Sequence, residues 1–207
     1  NYDKNPAGSF REMHYEGSQY PDYVPVTNYE TFDFAAHMPD MIFIHNPYDA
    51  CNLVTSVHPY FYASNLKQYT KSLVYIPYFI LDEIHPKDSR AAAWIENFAA
   101  LPGVVHADKV IVQSEDMKQV YINALTALAG GQTRKIWEAK IYGLGSPKTD
   151  KAVNTKKEEL DIPDKWLPIL KKPDGSDKKI VLYNTSVGAL LSYNEKMLEK
   201  MRDVFSV

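Results

Sequence analysis

The sequence predicts an α/β fold, a Rossmann-like parallel sheet with helices on both faces. Short apolar runs recur at residues 41–44, 73–76, 110–112 and 141–144, and helical patterns lie between them. Near-continuous apolar strands that alternate with helices mark a parallel sheet covered by its own crossovers. The third observation is bulk: 207 residues, 45% of them hydrophobic, can bury one sizeable core and begin another.

Residues 1–23 are polar, acidic and punctuated by Gly and Pro, which predicts an irregular segment. Residues 24–27 have the make-up of a short strand that Pro25 confines to an edge. Tyr29, Phe32, Phe34, Ala35 and Ala36 fall in weak helical spacing that Pro39 closes, and residues 41–44 form a buried strand. Pro59 suits the first position of a helix running to Tyr69. Residues 72–79 supply a second strand. A helix follows over residues 89–101, with Trp94, Ile95, Phe98 and Ala99 on its apolar side and Pro102-Gly103 as its stop.

Residues 108–113 read as the third strand. Ser114 is placed to cap the next helix, Glu115 and Asp116 suit its positive end, and Gly130-Gly131 closes it. A helix over 133–139 and a strand over 141–144 complete a first domain, residues 1–150. Residues 151–178, rich in Lys, acids and Pro, read as a linker with a helical turn around 156–160. Residues 179–207 hold an apolar strand at 180–183 and a helix at 195–205, the start of a second, truncated α/β unit or the completion of the first sheet.

Charge and cysteine content exclude several classes. Residues 1–50 carry only Lys4 and Arg11 against eight acidic residues, so nucleic acid is not an expected partner. The single cysteine, Cys51, rules out a disulfide framework within the chain and a cysteine zinc cage, and it reads as a small buried side chain. No apolar run approaches the roughly 20 residues that span a bilayer. The expected compartment is the cytoplasm.

In open parallel sheets ligands bind beyond the carboxyl ends of the strands, which directs attention to the loop after the first buried strand. His45, Asp49 and His58 are its candidate catalytic residues, because imidazole and carboxylate exchange protons near neutral pH. They match no metal cage by spacing, so no metal is expected. Asn46 and Tyr48 in the same loop, and Tyr78 after the second strand, are candidate ligand contacts. Ser114 and the helix N-terminus behind it could hold a phosphate, although capping explains Ser114 equally well. Gly145 and Ser146 offer close backbone approach and Lys148 a charge for a phosphate; a simple turn into the linker is the competing explanation.

The stretch from His106 to Tyr121, HADKVIVQSEDMKQVY, followed by Ile141 to Asp150, IYGLGSPKTD, resembles the amino-terminal domain of GT-B glycosyltransferases. More narrowly it is similar to the CDP-glycerol glycerophosphotransferase family, whose Gly-x-Pro-Arg-x-Asp segment is matched by Gly145, Pro147 and Asp150, with Lys148 in place of the Arg. The resemblance implies a transferase that moves a glycosyl or glycerophosphoryl group from a nucleotide-activated donor to a polyol or carbohydrate acceptor, a cell-wall polymer such as teichoic acid or its precursor. It implies no separate cofactor, a nucleotide-binding carboxyl-terminal domain as the necessary partner, and a place at the inner face of the cell membrane. The family's His-Gly pair after the second strand is replaced here by Pro77-Tyr78. This makes His45 and His58 the nearest sources of an imidazole, and leaves a catalytically silent carbohydrate- or nucleotide-binding domain as the alternative.

Overall fold

The structure is a computed structural model and describes residues 2–4, 10–13, 20–52, 55–181, 195–196 and 199–204. The chain divides into two compact units, Asn1–Asn154 and Thr155–Val207.

The strands of the first unit are β1 (Tyr2–Lys4), β2 (Phe10–Met13), β3 (Met41–Ile44), β4 (Thr55–Ser56), β5 (Ser72–Tyr75), β6 (Lys109–Val112) and β7 (Ile141–Gly143). Its helices are α1 (Phe34–His37), α2 (Ala63–Leu66), α3 (Ser89–Ala99), α4 (Pro102–His106), α5 (Glu115–Ala129), α6 (Arg134–Lys140) and α7 (Pro147–Asn154). Strands β3, β5, β6 and β7 form an all-parallel sheet in that order. The α/β class is therefore as the sequence predicts.

Two expectations at the amino end are corrected. Residues 2–4 and 10–13 are paired strands, joined by β4 in a small antiparallel sheet of order β2-β1-β4. Their polar composition hid them, because backbone pairing on both sides of β1 makes the strand without an apolar pattern. Residues 24–27 form no strand.

Register decides which side chains share a face. Ile42 pairs with Leu73, Ile44 with Tyr75, Tyr75 with Val110 and Val110 with Ile141. Since side chains alternate along a strand, these residues and Val112 face one way, and except for the partly covered Ile42 all are buried. The helices seat on that face. Helix α5 contributes Met117, Val120, Tyr121, Ala124 and Leu125, spaced i, i+3, i+4, i+7, i+8 as a core stripe must be. Ala63 and Leu66 of α2, Ile95 and Ala99 of α3, and Val104 of α4 complete the same core.

The opposite face carries Met41, Phe43, Val74, Lys109, Ile111 and Tyr142, with Met41 44% and Phe43 55% exposed. Val74, on the same face, is buried, so this face too is covered at β5.

The second unit has single helical turns at Lys157–Glu159 and Asp164–Trp166, the short helix α8 (Leu167–Leu170), and a bridge between Lys171 and Asp177. Lys171 Nζ lies 2.5 Å from the Asp177 carboxylate, which ties the two sides of the Asp174-Gly175 turn. Of the strand expected at 180–183, Ile180 and Val181 are exposed and outside any strand, while residues 182–183 lie outside the described residues. Of the helix expected at 195–205, residues 195–196 and 199–204 are helical.

Candidate functional site

Beyond the carboxyl ends of β5, β6 and β7 the loops enclose a cleft lined by Ile76, Phe79, Leu81, Gln113, Gly145 and Ser146, with Met117 and Tyr121 of α5 beneath. Its cavity volume is about 10 Å³, room for about one water.

Each wall has a local cause. The segment after β5 is held by Gln113, whose side-chain amide donates to the Leu81 carbonyl at 2.7 Å and accepts from the Leu81 N–H at 2.9 Å. The same amide nitrogen donates to Glu83 at 3.0 Å. The segment after β7 is drawn in by the N–H groups of Leu144 and Gly145, both donating to the Val112 carbonyl. Gly145 has φ +98°, a conformation that glycine adopts freely. The Ser146 hydroxyl is shut away from solvent with no hydrogen-bond partner among the described residues.

His45 stands on the rim. Its Nδ1 lies 2.9 Å from the carbonyl oxygen of Ile76, a residue of the cleft wall. A carbonyl can only accept, so Nδ1 carries the hydrogen, and in the neutral ring Nε2 holds the lone pair. Tyr48 and Tyr78 meet beside it, hydroxyl oxygens 3.4 Å apart and rings edge to face. Burial, then the Tyr78 hydroxyl, pushes the Tyr48 phenol up to about 12. Lys148 Nζ donates to the Tyr78 carbonyl at 3.2 Å and joins the β7 side of the rim to the β5 side. Thus His45, Tyr48, Tyr78, Gly145, Ser146 and Lys148 gather on one rim.

The other candidates do different work. Asn46 accepts from the Tyr48 N–H at 3.0 Å and shapes the loop. Asp49 is buried, 6% exposed, and its carboxylate accepts from the N–H groups of Ala63 and Ser64 at 2.7 and 3.3 Å and from the Ser64 hydroxyl at 3.2 Å. It is the anion at the start of α2, where free N–H groups need an acceptor. Asp49→Ala is expected to cost about 2 kcal/mol, seen as a lower urea midpoint at unchanged slope. An unchanged midpoint would mean that the carboxylate adds nothing there. His58 accepts from the Tyr60 N–H at 3.2 Å and packs on Tyr29, lining a separate cavity rather than the cleft.

Ser114 caps α5 through the Met117 N–H at 3.0 Å, and its hydroxyl donates to Glu83. A carboxylate already sits where an anionic ligand would approach this helix. Glu83 shares this corner with Gln113, a residue that spacing did not single out. The signal for Gln113 was its place, a polar residue ending an apolar strand directly before a capping serine. Tyr75 left none: it is wholly buried, with no partner for its hydroxyl among the described residues, and burial drives its phenol far above the usual range. Cys51, expected to be buried, is exposed.

At the amino ends of the strands lies a second ionic cluster. Lys67 pairs with Asp108, which also accepts from the Leu73 N–H at 2.8 Å. Burial opposes the Asp108 charge, but the hydrogen bonds from Lys67 and Leu73 outweigh it and hold the carboxyl below its usual range. Lys140 is buried nearby, 9% exposed, donating to the Val105 carbonyl at 2.7 Å.

No family model, no curated protein and no solved structure matches the chain. Among the described residues no three metal-binding side chains converge, and no helix is long and apolar enough to cross a membrane.

Proposed function

We propose that this chain is the acceptor-side domain of a GT-B-like transferase, which moves a glycosyl or glycerophosphoryl group from a nucleotide-activated donor to a hydroxyl of a cell-wall polymer or its precursor. His45 is the residue that carries the proposal. Its ring is held by the Ile76 carbonyl so that Nε2, the basic nitrogen, is left at the exposed rim of the parallel sheet. There it would take the proton of an acceptor hydroxyl as the bond to the donor forms. Tyr48 and Tyr78 would flank the acceptor, and a donor-binding domain closing over the rim would supply the leaving nucleotide and exclude water.

Where this domain is joined to a donor-binding one, transfer from CDP-glycerol or a UDP-sugar to a polyol acceptor is the expected activity. His45→Ala should lower kcat by roughly 10²–10⁴-fold with little change in KM for the donor. Undiminished kcat in that variant would remove His45 from the chemistry.

One observation favours a second reading, a catalytically silent domain that binds a carbohydrate or nucleotide. The cleft admits about one water, and the Glu83 carboxylate stands at the α5 N-terminus where a donor phosphate would bind. Absence of transfer with every donor, combined with retention of the chain on an immobilised polyol polymer, would select this reading.

A further inference from the structure

We propose that the cavity beside the Tyr29 turn binds a small organic cation bearing a methylated ammonium group. This site is separate from the cleft: it is lined by Tyr29, Glu30, Phe32, Asp33, His58 and Tyr60, none of which lines the cleft, together with Thr31. Its volume is about 350 Å³, within the range of small-molecule sites.

The walls are rings fixed by one another. Tyr29 packs on His58 at 5.3 Å and edge-on to Phe61 at 5.7 Å, and Tyr60 lies 5.3 Å from Phe34. The Tyr60 hydroxyl donates to the Phe32 carbonyl and accepts from the Phe34 N–H, both at 3.2 Å, which sets its ring. Phe32 stacks on His37 at 4.5 Å. At the mouth stand two carboxylates. Asp33 is held by capping α1, accepting from Ala35 and Ala36 N–H groups at 2.8 and 3.2 Å, and Glu30 is exposed and accepts from the Tyr29 hydroxyl at 3.4 Å.

Charge selects the occupant. Of the seven residues that line it, two are carboxylates and none is Lys or Arg. An anion is repelled by this surface, and a neutral sugar gains from the rings but nothing from the field. A methylated ammonium gains from both, because aromatic faces are negative and the shell of methyl groups fits an apolar wall.

The test is calorimetric titration of the whole chain with choline, and in parallel with its uncharged isostere 3,3-dimethylbutan-1-ol and with glucose. Choline should saturate with a millimolar Kd, about 5-fold or more tighter than the isostere, and weaken as salt is added. Glu30→Gln, which removes the charge and keeps an acceptor for the Tyr29 hydroxyl, should weaken choline by about 3–10-fold and leave the isostere unchanged. The proposal is overturned if choline shows no saturation below roughly 50 mM. It is equally overturned if the isostere or glucose binds as well as choline, or if Glu30→Gln leaves choline binding as it was.

Discussion

Gly143→Ala is expected to destabilise the first unit by about 3 kcal/mol or more. A Cβ on residue 143 would stand 2.4 Å from the Ser114 carbonyl oxygen and 2.6 Å from the Glu115 nitrogen. Both are backbone atoms and cannot rotate aside. They belong to the first turn of α5, which Ser114 fixes by accepting from Met117 with its hydroxyl and from Lys118 with its carbonyl. Relief therefore requires α5 to lift from the sheet or β7 to leave its register with β6, where Val112 faces Gly143. Lifting α5 uncovers Met117, Val120 and Tyr121, each worth roughly 1.5–3 kcal/mol when buried, so the helix resists. Shifting β7 instead breaks the bonds from Leu144 and Gly145 to the Val112 carbonyl and displaces the Gly145-Ser146 wall of the cleft. Gly131→Ala supplies the control, since no atom lies within 4 Å of its added Cβ and its φ is not in the left-handed region. Urea midpoints that fall together for the two variants, or not at all for Gly143→Ala, would disprove the close approach.

The sheet was legible because burial writes itself into composition. Leu73, Val74 and Tyr75 are covered on both sides, and a run of apolar residues with no alternation is what such a strand requires. The caps were legible for a similar reason: Ser114, and Gly130 at φ +95°, are residue types that helix ends select. β1 and β2 were not, because their partners are remote or polar and local pattern carries no trace of them.

The site divides in the same way. A strand-end location put His45, Tyr48, Tyr78 and the Gly145 turn on the rim correctly, since topology alone sends those loops there. Sequence proximity does not carry Asp49 and His58 to the same rim. Asp49 sits four residues after His45, yet its left-handed conformation, φ 46°, turns the chain and its carboxylate is directed to α2. His58 precedes Pro59 and closes the turn that follows, so its ring faces Tyr29. Chemistry-bearing residue types in one loop were split between a rim, a helix cap and a second cavity by backbone turns that composition does not encode.

Lys140 makes the stability of the first unit rise with pH where many proteins lose theirs. Burial, the largest influence, depresses its ammonium from 10.5 to about 8; Asp108 opposes this and Lys67 adds to it. Below pH 8 both folded and unfolded chains carry the proton, and the folded state bears the whole cost of a buried charge. Between about 8 and 10.5 the unfolded chain binds the proton and the folded chain releases it, so unfolding takes up a proton and stability climbs with pH. The span corresponds to about 3 kcal/mol. Lys140→Met keeps an apolar stem and removes the charge that lies over Trp137, leaving the Val105 carbonyl without its donor, a loss of about 1 kcal/mol. The variant should therefore exceed the parent by about 1–2 kcal/mol at pH 7 and lose that advantage by pH 10.5, where the folded parent's lysine is neutral and about half of the unfolded chains still hold the proton. Paired urea titrations at the two pH values cancel the tyrosines and other lysines that titrate in the same window. A parent more stable than Lys140→Met at pH 7 would mean that the Val105 bond and the Trp137 ring, 5.2 Å from the ammonium, outweigh its burial.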